Sequence, residues 1–270
     1  MDKKEIFQLG KKPIIGMVHL KSLPGSSSYD GLEFSNILKR ALKEARILYD
    51  GGVDGILIQN TNDRPFSRPF VNIETIPFYT IIAREIQNVV KCPIGVNVQL
   101  LGSIPALSIA KAINAQFVRI KVFYESVLTL IGRLDGEAPQ AMSFKKRIKA
   151  DNVQIIADVY HRGSQPLADF PISIAAQASW NFGKPDALVI AGNSVEDSIN
   201  RMIEIRKKLP EAILLAGGGT NSQNIGKFLE LCDGAIIGAG IKDNNSYSGN
   251  IDPYLLKDYI NAVIKFKSKN

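Results

Sequence analysis

Eight short runs of aliphatic and β-branched residues recur along this chain, each followed by a longer amphipathic stretch, and this alternation limits the fold more than any other feature. The runs are 13-PIIGMVH-19, 53-VDGILIQ-59, 93-PIGVNVQ-99, 116-QFVRIKV-122, 153-VQIIADV-159, 186-DALVIAG-192, 212-AILLAGG-218 and 233-DGAIIGA-239. Strands buried on both faces read as near-continuous apolar runs of this kind. The intervening stretches predict helices over 32–50, 73–90, 104–113, 140–150, 172–181, 195–208, 222–230 and 252–267. In the first, Ile37, Leu38, Ala41, Leu42, Ala45 and Leu48 recur at the i, i+3, i+4, i+7 spacing of one helix face. Strand–helix alternation demands parallel strands joined by crossover helices. Eight such units predict an α/β fold, a single (β/α)8 TIM barrel over residues 1–270.

Loop lengths say which end of that barrel works. The helix-to-strand turns are short, as in 50-DGGV-53, 90-VKCP-93, 113-INAQ-116 and 150-ADNV-153. The strand-to-helix connections are long: 20–31, 60–72, 123–139 and 159–171. Long loops gathered on one side mark a functional face, and in a barrel that face is the C-terminal end of the strands. The phrases 52-GVDGILIQ-59, 184-KPDALVIA-191 and 231-LCDGAIIG-238 form a degenerate repeat at the other end. Its aspartates, Asp54, Asp186 and Asp233, read as turn residues without a catalytic part.

At the end of the seventh run, 215-LAGGGTNSQNI-225 holds Gly217, Gly218 and Gly219, which let backbone N–H groups approach a ligand; Thr220 or Asn221 would cap the helix that follows. The eighth run ends in 237-IGAGIK-242, with Gly238 and Gly240. Glycines serve bare turns too. Placed after the last two of eight strands, they match the recurring phosphate site of this fold, so a barrel of the phosphate-binding type and a phosphorylated small-molecule ligand are expected. Lys242 either adds a charge there or lies on the surface.

Both histidines of the chain, His19 and His161, fall at strand C-termini on the working face, where imidazole suits acid–base work or ligation. Polar residues of one parity also interrupt the strands: Asn97 and Gln99, Arg119 and Lys121, Gln154 and Asp158. A buried charge needs a partner. Either Lys121 and Asp158 form a structural ion pair, or Lys121, Asp158 and Asn97 surround the barrel mouth, with Lys121 pairing to a substrate anion, acting as acid–base or, if desolvated, forming a Schiff base. In 59-QNTNDRPF-66, Asn60 and Asp63 are candidates for ligand hydroxyls or a divalent cation, and Arg64 for a carboxylate or phosphate; an Asx turn before Pro65 is the alternative. His19, Asp63, Asp158 and His161 are conceivable metal ligands, but their spacing does not specify a site, so no metal is assigned and the cofactor stays unknown. The segment from Tyr124 to Pro139 reads as a lid.

The formal net charge is +7, with basic clusters at 143–149, 205–208 and 265–270. These read as solvated helix faces and a tail, and without a basic stripe interleaved with aromatics no nucleic-acid partner is expected. No run of about 18 apolar residues predicts a membrane span, and the start lacks the apolar core of a signal peptide. Cys92 and Cys232 read as core residues in a reduced, cytoplasmic setting. There is no Walker loop, GxGxxG or Ser-His-Asp elbow.

The phrases PIIGMVHLKSLPGSS, GVDGILIQNTNDRPF, GVNVQLLGSIPALSIAKAINAQFVRI, ADVYHR and GGGTNSQNI, in this order, resemble the BtpA/SgcQ family. The resemblance implies a phosphate-binding (β/α)8 barrel. It also implies links to photosystem I biogenesis with association to thylakoid membranes, hence peripheral membrane association, and to sugar-phosphate gene clusters. It supplies no established reaction. The positions matching its phrases are His19, Asn60, Asp63, Arg64, Asn97, Lys121, Asp158, His161, Arg162 and the Gly217–Gly219 loop. One departure is 124-YESVLTLIGRLDGEA-138, where a more glycine-rich loop of the form T-D-x-G is expected. The expectation is an enzyme acting on a phosphorylated sugar or nucleoside by isomerase, epimerase or lyase chemistry through His19, Lys121, Asp158 and His161. The alternative is a non-catalytic assembly or stability factor. A homo-oligomer is expected, as for many barrels.

Overall fold

The computed structural model describes residues 12–66 and 71–269. The opening stretch, positions 67–70 of the loop 60–72 and the last residue of the basic tail lie outside the described residues. The strands in chain order are β1 (Ile14–His19), β2 (Gly55–Gln59), β3 (Ile94–Asn97), β4 (Phe117–Ile120), β5 (Val127–Thr129), β6 (Gly132–Leu134), β7 (Gln154–Val159), β8 (Gln165–Pro166), β9 (Ala187–Ile190), β10 (Leu214–Ala216) and β11 (Gly234–Ile237). The helices are α1 (Phe34–Asp50), α2 (Thr75–Val89), α3 (Ser103–Ile113), α4 (Ala138–Arg147), α5 (Ile172–Ala178), α6 (Val195–Lys208), α7 (Ile225–Leu229) and α8 (Pro253–Lys267). Every apolar run supplies one barrel strand, and the closed ring runs β1-β11-β10-β9-β7-β4-β3-β2, parallel throughout. The fold is a (β/α)8 barrel.

Strand alternation divides the core in two. Ile15, Met17, Leu57, Phe117, Ile156, Val189, Leu215 and Ile236 fill the barrel interior. A Cβ on Gly95 would lie 2.0 Å from the Phe117 ring, so only glycine leaves that ring its place. Residues of the other parity, such as Ile14, Val18, Ile56 and Val96, pack outward onto the helices through Leu48, Ile82, Leu107 and Ile205. Full burial of each such side chain contributes about 1.5–3 kcal/mol.

The repeated aspartates have a structural task. Asp54 accepts the backbone N–H of Ile14 at 2.7 Å, Asp186 that of Ile155 at 2.7 Å and Asp233 that of Leu214 at 2.9 Å. Each ties the start of one strand to the turn before its neighbour. Lys145, Lys146 and Arg147 end α4, Arg206, Lys207 and Lys208 end α6, and Lys265 and Lys267 end α8. Cations there complement the negative end of the helix dipole. Because the helices run antiparallel to the strands, these clusters sit at the barrel end away from the mouth. Among the described residues no helix is long and apolar enough to cross a membrane.

Of the helix boundaries that differ from expectation, two have a local cause. The helix expected over 172–181 ends at Ala178 and passes into a π-helical turn, Ser179–Gly183. The helix expected from 222 starts at Ile225, because Asn221 Oδ1 accepts the N–H groups of Gln223 and Asn224 and holds the preceding residues in an Asx turn. Neither Thr220 nor Asn221 is therefore its N-cap, which is Asn224. The segment expected to be a lid is an ordered antiparallel sheet, β6-β5-β8, joining the loop after β4 to the loop after β7.

Candidate active site at the barrel mouth

A cavity of about 860 Å³ opens at the C-terminal end of the barrel. Its walls come from strand ends and from the loops that follow β2, β4, β7, β10 and β11. One side is backbone. Gly217, Gly218 and Gly219 line the cavity, with φ of +125° at Gly218 and +77° at Gly219. These angles suit glycine and aim the loop's N–H groups outward. Among the described residues, no hydrogen bond uses the N–H of Gly218, Gly219 or Thr220. The Arg162 guanidinium hangs over this loop. A Cβ on Gly219 would come within 3.1 Å of it and one on Gly218 within 3.9 Å. Arg162 Nε donates to Gly192 O at 2.8 Å, which fixes the side chain and leaves its outer N–H edge toward the loop. Free backbone donors facing a guanidinium form a cradle for an anion with several oxygens.

Gly238 and Gly240 also line the cavity, though packing alone requires glycine there. A Cβ on Gly238 would lie 2.8 Å from His19 Cε1, and one on Gly240 would lie 2.4 Å from the Thr220 carbonyl oxygen. Lys242 does not reach the site. It is buried, donates to Gly249 O at 2.8 Å and pairs with Glu44 of α1 at 3.3 Å.

The strand ends supply the reactive groups. His19, at the end of β1, is 2% exposed, and neither of its ring nitrogens has a hydrogen-bond partner. Burial, then the charges of Lys242, Lys121 and Arg119, lowers its pKa to about 3. His161 is half-buried, and its nitrogens also lack partners. Burial and Lys121 lower its pKa to about 4. Both imidazoles are therefore neutral near pH 7. Lys121 lines the cavity just past β4, and among the described residues its ammonium makes no ion pair or hydrogen bond. Desolvation, then Arg119, brings its pKa down to about 8.

Of the two readings open for Lys121, the structural ion pair with Asp158 does not form; Arg119 takes that carboxylate instead. Arg119 grips Asp158 with two hydrogen bonds, Nε to Oδ1 at 2.7 Å and Nη2 to Oδ2 at 2.9 Å, both side chains buried. A guanidinium matches a carboxylate bidentately and an ammonium does not. β4 and β7 are neighbours with Ile120 level with Ala157. Both Arg119 and Asp158 line the cavity wall.

Three expected ligand-binding residues turn inward instead. Asn60 accepts the N–H of Gln99 at 2.9 Å and donates to Asp63 at 3.0 Å. The other Asp63 oxygen accepts the N–H of Leu23 at 2.8 Å. Asn97 donates to Arg119 O at 2.7 Å. None of the three lines the cavity. They hold loops and strand ends together, with Asn97 Oδ1 left buried and unpartnered outside the cavity lining. Arg64 does reach the cavity, its Cζ 5.8 Å from the ring centres of both Phe66 and Tyr247. Among the described residues, no three His, Cys, Asp or Glu side chains converge as a metal-binding group.

Residues 10–265 match the model of the BtpA family. The chain belongs to the BtpA family. Within reach of this family are an uncharacterized protein of Methanocaldococcus jannaschii, 33% identical over 95% of this chain and 97% of its own, and the photosystem I biogenesis protein BtpA of a Synechocystis strain, 30% identical over all of this chain and 94% of its own. Among solved structures, the N-(5'-phosphoribosyl)anthranilate isomerase of Pyrococcus furiosus superposes with a TM-score of 0.59 over 94% of this chain and 99% of that one, at 13% identity. That likeness is one of fold.

Two contributors at the mouth of this BtpA-family barrel carry no sequence signal. Tyr247 lies in the loop after β11 without a motif, yet packs edge-on against His19 at 5.3 Å between ring centres. Glu125 lies just before β5, at the root of the antiparallel sheet. It accepts the N–H of Tyr160 at 2.6 Å, and burial raises its pKa to about 7.

Proposed function

We propose that the protein is an enzyme that binds a small phosphorylated molecule, a sugar or nucleoside derivative, and moves a proton on it as an isomerase, epimerase or lyase. The carrying observation is the pairing, within one cavity, of the Gly217–Gly219 and Arg162 cradle with His19 and His161, whose buried ring nitrogens have no partners, and with Lys121, which forms no ion pair among the described residues. Buried polar groups normally find partners, and groups left unpaired at a strand-end cavity are held ready for something that arrives. The phosphate would occupy the cradle. Lys121, with a pKa near the working pH, suits proton transfer. The neutral imidazoles suit hydrogen bonding to a carbonyl or hydroxyl as charge develops. Asp158, clamped by Arg119, would set the position and field of the wall. The name of the Pyrococcus isomerase, which has this fold, includes a phosphoribosyl group and supports the same class.

The test is thermal melting against phosphosugars, nucleotides and divalent metals. A ligand at 100 times its dissociation constant should stabilise the fold by about 2.7 kcal/mol. A shift from one phosphorylated class that Gly218→Asp removes supports the reading. No shift from any phosphorylated compound counts against it.

One observation favours the non-catalytic alternative. The lid hairpin carries Leu128, Leu130 and Ile131 exposed at its tip, and Leu130 is fully exposed. An assembly factor would use such a tip on a protein partner, and the name of the Synechocystis relative supports that role. Leu130 and Ile131 also line the cavity, whereas Leu128 does not; replacing Leu128 by Ser would then weaken partner capture and leave ligand melting shifts intact. Helices α2 and α8 leave Ile81, Tyr254 and Ile264 exposed, which supports association between copies; sedimentation velocity tests it.

A further inference from the structure

Charge balance and placement around the ring extend this reading of the cavity. Arg64, Lys121 and Arg162 line it, and none of the ion pairs among the described residues involves them. Asp158 is the one carboxylate in the lining among those residues, and Arg119 neutralises it. A phosphate monoester brings about −1.5 to −2 charges. One such group leaves roughly one positive charge of the three unanswered.

That remaining charge stands at the far wall. Arg162 follows β7 and the glycine loop follows β10, and these two strands flank β9 in the ring. Arg64 follows β2, which is four places from β9 in the eight-membered ring and therefore diametrically opposite. Lys121 follows β4, two places from each. The Arg64 guanidinium is braced by two aromatic rings, Phe66 and Tyr247. Arg64 Nε donates to Thr61 O at 3.2 Å, and the rings position the cation without taking up its other N–H donors. His19, packed against the same Tyr247, adds an almost fully buried imidazole with two unpartnered nitrogens.

We infer that the cavity holds a substrate anionic at both ends: a phosphate in the Gly217–Gly219 and Arg162 cradle, and a carboxylate or second phosphate on Arg64, with the reacting carbons between them beside Lys121. This rests on the phosphate reading of the cradle. The two arginines measure the length of the substrate, and a compound with only one anionic end loses one of its two anchors.

Inorganic phosphate tests the two sites without knowledge of the substrate. Arg64 and Arg162 are both exposed at the rim, so their replacement leaves the fold in place. Titration calorimetry on the whole chain is expected to find two phosphates per wild-type molecule and one per molecule in both Arg64→Gln and Arg162→Gln. A single phosphate in the wild type, unchanged in Arg64→Gln, overturns the second site and leaves the cradle standing. No bound phosphate at all overturns the cradle, and the proposed function with it. A matched pair then reads the second anion: 6-phosphogluconate, with a carboxylate at the far end, against glucitol 6-phosphate, without one. The first is expected to bind at least about tenfold more tightly, a gap that Arg64→Gln erases. A gap that persists in Arg64→Gln assigns the carboxylate elsewhere and overturns the inference.

Discussion

Two stretches of the barrel mouth carry the same kinds of residue and use them in opposite ways. Past β2 and β3, Asn60, Asp63 and Asn97 are buried and bonded to Gln99, Leu23 and Arg119, and none faces the cavity. Past β1, β4 and β7, His19, Lys121 and His161 face it, the two imidazoles without hydrogen-bond partners and Lys121 without an ion pair among the described residues. The first group exchanges water for protein partners, except at Asn97 Oδ1, and stabilises loops. The second gives up water for nothing within the fold, so its desolvation is borne by the protein until a ligand binds. Partnered and cavity-facing polar groups are thus separated residue by residue within one ring of loops. The Arg119–Asp158 pair stands between the two, internally satisfied yet part of the cavity wall.

The comparison breaks if the two groups respond alike to substitution. The largest effect is expected in turnover: Lys121→Met should lower kcat about 10²–10⁴-fold on the substrate that melting identifies, without loss of folding. Unaltered turnover would remove Lys121 from the chemistry. Arg119→Met leaves a buried carboxylate alone and should cost about 3–5 kcal/mol in urea unfolding, most of it recovered by adding Asp158→Leu. If the double variant is no better than the single one, the ion pair is not the reason for the loss.

Lys121→Met should also raise stability. The Lys121 pKa is lowered from 10.5 to about 8 in the folded state, so below pH 8 the fold holds a charge it disfavours. Between pH 8 and 10.5 the unfolded chain keeps the proton and the native state releases it, so wild-type stability rises with pH across this window. The variant is expected to exceed wild type by up to about 3 kcal/mol at pH 7, and the gap should close by pH 10.5. A gap independent of pH would show that Lys121 is not desolvated. The smallest effect sharpens the other side: Asn60→Ala should cost about 1–3 kcal/mol of stability and leave ligand affinity unchanged. Weakened ligand binding in that variant would return Asn60 to the site.

Much of this was legible in order and spacing. The eight strands and the glycines at the ends of β10 and β11 follow from local pattern, whereas the segment after β4, read as a lid, pairs into the antiparallel sheet β6-β5-β8. Local pattern could not separate Asn60 and Asp63, whose partners Gln99 and Leu23 are about 40 residues away, from Arg64, which reaches the cavity. It placed Arg119, Lys121 and Asp158 on one face and could not say which cation takes the carboxylate. It gave Lys242 two open fates and did not foresee Glu44 as its partner.

The sequence by itself determined the barrel, because hydrophobic period and loop length are local quantities and eight repeats admit few ways to bury eight apolar strands. It also pointed to the end where the cavity opens, because long loops and glycines accumulate there. Only the tertiary structure decided which polar side chains are free, because partnership in a low-dielectric interior depends on what closure of the ring brings alongside. His19 and Tyr247, 228 residues apart in the chain, meet only when β1 and β11 close the barrel.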